Sequence, residues 1–60
     1  MSDYSNQSLE GANFAGANLK RARFRGSYLV GAKFQSADLQ GAVLKQANAS
    51  GANFQRATFY

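Results

Sequence analysis

The sequence predicts a solenoid, a chain wound around one apolar axis, and two observations predict it. All five Leu (Leu9, Leu19, Leu29, Leu39, Leu44) and all five Phe (Phe14, Phe24, Phe34, Phe54, Phe59) fall on one register of period five. All six Gly stand two places after a register position. Period five fits neither ordinary element. On an α-helix, five residues advance about 500°, so successive Leu and Phe would spiral around the cylinder and leave no apolar face. On a flat strand, a spacing of five would send successive centres to opposite faces. The chain must instead turn once per unit, so that each coil buries its apolar edge against its neighbours.

The unit explains itself position by position. The centre is Leu or Phe, with Tyr4 and Ala49 in the two remaining places of the register. Two residues earlier the chain carries Ala in nine of twelve units, the exceptions being Ser2, Gln7 and Ser27. A small residue suits an inward site where backbones approach closely. Four of the five Asn (Asn13, Asn18, Asn48, Asn53) stand just before a centre. Gly at the end of the unit suits a corner, because it accepts positive φ without a Cβ clash.

Composition narrows the function. The 60 residues carry seven Lys/Arg against three Asp/Glu, a formal net charge of +4. With no Cys there is no disulfide, thiolate metal site or cysteine nucleophile, and with no His the usual proton shuttle and metal ligand are missing. The acids are Asp3, Glu10 and Asp38, which puts paired-carboxylate chemistry almost out of reach. The chain is therefore expected not to be an enzyme and to need no cofactor or metal. No apolar run is long enough to cross a bilayer, and the polar opening MSDYSNQS does not resemble a secretion signal. A cytoplasmic location, or a stromal or thylakoid-associated one on the cytoplasmic side, is the expectation.

The units ANFAG, ANLKR, ARFRG, AKFQS, ADLQG and ANFQR closely resemble those of pentapeptide-repeat proteins, whose consensus is A-[DN]-[LF]-x-x. The resemblance runs from Ser2 to the last residue. It implies an all-β fold, a right-handed quadrilateral β-helix with four units per coil, and hence about three coils in one domain over residues 1–60. It also implies a cyanobacterial setting and an adaptor or linker role in a larger assembly. Some members of the family mimic duplex DNA to protect DNA gyrase, but that needs an acidic, DNA-length rod, and this chain is basic and short.

On that fold, residues twenty apart stack at about 4.8 Å. The inner columns are then Phe14/Phe34/Phe54, Leu19/Leu39/Phe59, Tyr4/Phe24/Leu44 and Leu9/Leu29/Ala49. The expected core is Leu9, Phe14, Leu19, Phe24, Leu29, Phe34, Leu39 and Leu44. Ala49 leaves its column short, a loss of roughly 2–5 kcal/mol if the space stays empty. Phe54 or Phe59 is expected to lean into that space, the alternative being a side chain from a partner.

Two surfaces are candidates for binding. Lys20, Arg21, Arg23, Arg25 and Lys45 form a basic stripe suited to nucleic acid or another anionic surface, with Asp3 stacked under Arg23. The C-terminal coil is the other: Phe54, Phe59 and Tyr60, with the Ala49 gap beside them, leave strand edges and aromatics open to another chain. The expected function is a non-catalytic interaction module, an adaptor, linker or scaffold piece that docks on a protein or on itself through that coil or a face. Nucleic-acid binding through the stripe is the alternative.

Overall fold

A computed structural model describes residues 2–59, which are built from one turn repeated along the chain. In every turn from Leu9 onward the carbonyl of a centre accepts a hydrogen bond from the N–H three residues on, from Ala12 to Leu9 (3.0 Å) through to Ala57 to Phe54 (3.0 Å). The third residue of the turn is left-handed, as in a type II turn. All six Gly sit there, with φ from 67° to 71°. So do five residues that carry a Cβ: Asn6, Arg21, Ser36, Gln46 and Arg56, with φ from 59° to 62°. Every corner therefore adopts the glycine conformation, whether or not it has the glycine.

Between corners one residue per unit pairs with the residue twenty further on, in parallel. The four columns of pairs are Asp3/Arg23/Val43, Ser8/Tyr28/Asn48, Asn13/Lys33/Asn53 and Asn18/Asp38/Thr58. Each pair is laced from both sides, as where the Tyr4 N–H donates to the Arg23 carbonyl (2.6 Å) and the Arg23 N–H to the Ser2 carbonyl (2.9 Å). Four columns, each three residues tall, enclose a body whose Cα extents are 22 × 22 × 14 Å. Residues 2–20, 21–40 and 41–59 are called below the first, middle and last tiers.

The all-β expectation needs one correction. Among the described residues the pairings are isolated bridges, and no residue belongs to an extended strand. Two of every five residues are in a turn, so the flat stretch between corners is too short for a ladder of consecutive pairs.

The core is a stack of aromatics. Phe34 is wholly buried, lying 5.2 Å from Phe14 and 4.9 Å from Phe54 with nearly parallel rings. Tyr4 stacks on Phe24 in the same way (5.0 Å). The two columns meet across the axis edge to face, with Phe24 and Phe34 5.6 Å apart at 90°, a favoured aromatic geometry. Leu19, Leu29 and Leu39 fill the remaining sides, and Ala22, Ala32 and Ala37 take the small inward sites. Ser27 replaces Ala in one such site; its hydroxyl donates to the Phe24 carbonyl at 2.7 Å, so no polar group is left unpaired there.

Burial is concentrated in and beside the middle tier. Leu9, Phe14 and Leu44, expected in the core, are only partly buried, as is Tyr4. The physical reason is that each end tier has a neighbour on one side only.

Candidate functional site

The Asn or Asp before each centre prepares the corner. Its side-chain oxygen accepts the N–H of the residue two further on, as for Asn13 to Ala15 (3.0 Å), Asn18 to Lys20 (3.2 Å), Asp38 to Gln40 (3.2 Å) and Asn53 to Gln55 (2.9 Å). This satisfies a turn amide that points to the outside of the tier. The preference for Asn and Asp before the centre is visible in the sequence, but its role shows only in the folded turn, where the side-chain oxygen meets the amide two residues on.

All five residues of the basic stripe are exposed, though they do not form one uninterrupted row. Arg23 lies mid-face, Arg25 and Lys45 sit in turns at one corner, and Lys20 and Arg21 in the turn at the other. Lys20 Nζ pairs with Asp38 Oδ2 at 3.6 Å. Arg23 and Arg25 share a groove with Asp3, Ser5 and Val43. There the Ser5 hydroxyl and its backbone N–H (3.0 Å) hold the Asp3 carboxyl below its usual range; slight desolvation opposes them, and the Arg23 charge adds to them. The stripe thus has one acid on Lys20 and another beside Arg23 and Arg25, which lowers its attraction for a polyanion.

The outer faces of the end tiers have their own chemistry. In the last tier the N–H groups of Leu44, Gln46, Ala49, Gly51, Phe54, Arg56 and Phe59 have no partner among the described residues, although their counterparts one tier below all donate across tiers. Phe59 is 49% exposed and tilted against Phe54, with ring centroids 5.7 Å apart. The Phe54 ring lies within 3° of parallel to Phe34, so of the two rings expected to lean toward Ala49, Phe54 keeps its own column. Ala49 is partly exposed, and Tyr60 lies outside the described residues.

Among the described residues no group of His, Cys, Asp and Glu is placed to hold a metal ion, and no helix is long and apolar enough to cross a membrane.

A family model described as pentapeptide repeats, in eight copies, matches residues 8–46 and 27–60. The fold is similar to a crystal structure of a pentapeptide repeat protein from the Arabidopsis thaliana thylakoid lumen, with a TM-score of 0.94 and 42% identity. That match covers 95% of this chain and 39% of the other. It is also similar to Rfr23 of the cyanobacterium Cyanothece 51142 (TM-score 0.82, 28% identity, 97% and 44% covered). A third likeness is to a pentapeptide repeat protein of Nostoc PCC 7120 (TM-score 0.52, 31% identity, 95% and 55% covered). The chain thus spans less than two thirds of each of these proteins. No curated protein sequence gives a match. The likenesses imply a right-handed quadrilateral β-helix.

Proposed function

This chain belongs to the pentapeptide-repeat family, and from that premise we propose that it is a non-catalytic interaction module whose last tier is a docking edge for protein. On this reading residues 1–60 form one right-handed β-helix of three coils. The family is generally structural, and the sequence carries neither Cys nor His and only three acids, Asp3, Glu10 and Asp38. The observation that carries the proposal is the row of seven unpartnered N–H groups in the last tier, beside the half-exposed ring of Phe59. Backbone groups lined up at a sheet edge are a template for another chain, because main-chain bonds supply affinity and adjacent side chains supply specificity. A cytoplasmic location belongs to the same proposal; the thylakoid-lumen relative pulls against it.

Nucleic-acid binding through Lys20, Arg21, Arg23, Arg25 and Lys45 is the weaker reading. Asp38 occupies Lys20, Asp3 shares the groove of Arg23 and Arg25, and among the described residues no row of exposed aromatics lies beside the stripe for base stacking.

The test is to add a polar capping coil after Tyr60 and to compare both chains by light scattering and thermal melting. The capped chain is expected to melt higher and to lose association. A cap that changes neither melting nor association overturns the proposal.

A further inference from the structure

The docking edge has a match within the molecule itself. Among the described residues the last tier presents the seven N–H groups named above and, facing the same way, the unpartnered carbonyls of Ala42, Ala47, Ala52 and Ala57. The first tier presents the opposite balance. Among the described residues the carbonyls of Asp3, Ser5, Ser8, Glu10, Asn13, Ala15 and Asn18 accept nothing, and the N–H groups of Asp3, Ser8, Asn13 and Asn18 donate to nothing. One face has an excess of donors and the other an excess of acceptors. We infer that the occupant of the docking edge is a second copy of this chain, seated with its first tier on the last tier of the copy below, head to tail.

The inference rests on the docking edge proposed above and adds its partner and orientation. Where Leu44 donates to Asp3 of the next copy and Ser8 of that copy donates to Ala47, the lacing between tiers continues as it runs inside one chain. Two last tiers placed face to face would instead set an excess of N–H groups against another, and unpaired buried donors are costly. Charge favours the same orientation. The first tier holds Asp3 and Glu10, two of the three acids, against the single base Lys20, whereas the last tier holds Lys45 and Arg56 and no acid.

Side chains select one of the four quarter-turn registers. With the columns continued, Phe14 of the next copy lies over Phe54, repeating the 5.2 Å and 4.9 Å stacks within the chain. Leu9 of the next copy lies over Ala49, where the short side chain leaves it room. Each copy joined this way still has one free face of each kind, so the contact is heterologous and does not close at two. Growth produces a stack of constant cross-section.

The test uses the 60-residue chain and two extended forms, one with a polar coil fused after Tyr60 and one with a polar coil fused before Met1. The unextended chain is expected to gain mass steadily with concentration, beyond a dimer. Each extended form alone is expected to be monomeric, and their equimolar mixture to form a 1:1 dimer and stop there. If the form extended before Met1 associates by itself, the head-to-tail contact is wrong while the docking edge stands. If the unextended chain stays monomeric while its melting still rises with a cap, self-docking fails and another protein covers the edge. Register is read by cross-linking, since the chain has no cysteine of its own. A mixture of Glu10→Cys and Ser50→Cys chains is expected to form the disulfide-linked pair, because residues directly stacked lie within disulfide reach. Equal cross-linking of Ser50→Cys with Ala15→Cys, one quarter-turn away, overturns the register.

Discussion

The ring of Phe54 lies 4.9 Å from that of Phe34 with the two planes 3° apart, and Phe14 covers the opposite face of Phe34 at 5.2 Å. Phe24 closes the set edge-on at 5.6 Å. Phe34 is thus packed on three sides by aromatics and has no exposure to solvent. Phe34→Ala is expected to cost about 3–5 kcal/mol, the range for removing a buried aromatic. A domain of this size has little stability to lose, so loss of the cooperative thermal transition is the expected outcome. A fully folded variant with unchanged melting would contradict the aromatic stack.

The corners make a prediction of the opposite sign. Gln46 has φ of 62°, a conformation that strains a residue with a Cβ. Gln46→Gly is expected to stabilise the chain by about 1 kcal/mol, because the strain exceeds the extra chain entropy of glycine. Gly31→Ala is expected to cost about 1 kcal/mol, the strain less the entropy of glycine, since nothing lies within 4 Å of the added methyl. Gly26→Ala carries the same strain and must also displace Asn6 Oδ1, which lies 2.5 Å from the new Cβ. Chemical denaturation of the three variants orders them.

Replacing Arg21, Arg23 and Arg25 together by Gln is expected to leave the fold intact, because all three side chains are exposed. Non-specific binding to polyanions should weaken, and its dependence on salt should become shallower by roughly one phosphate contact per Arg lost. If self-association or partner docking fell with it to the same degree, the stripe would replace the last tier as the working surface.

Asp3 supplies the acid dependence. Its folded pKa is lowered, chiefly by hydrogen bonds from Ser5. Its contribution is therefore present above the unfolded carboxylate pKa of about 3.9 and is lost as pH falls through the lower folded value. Asp3 is fully exposed, so the effect is small. Thermal melting of the chain and of Asp3→Ala between about pH 6 and about pH 2 should differ most at the upper end and converge at the lower.

Much of this architecture is legible in the sequence because the repeat is local. Leu and Phe on one register and Gly two places later specify, within five residues, which side chains point inward and where the chain turns. Stacking follows once four units make a circuit, so Phe14, Phe34 and Phe54 are neighbours in the sequence pattern before they are neighbours in space. The corners at Asn6, Arg21, Ser36, Gln46 and Arg56 escaped the pattern, since the closure of the circuit imposes left-handed φ on residues that do not prefer it. Burial also belongs to the tertiary structure. Leu9 and Leu29 occupy the same place in the unit, yet only Leu29 is fully buried, because only the middle tier has backbone on both sides. The Lys20–Asp38 pair and the Asp3 groove depend on side chains from successive tiers, distant in the sequence, meeting on an outer face. The period of the sequence determined which side chains point inward and where the chain turns; the closing of four units into a tier, and the contacts between tiers, decided what is buried, what is strained and which groups are left unpaired.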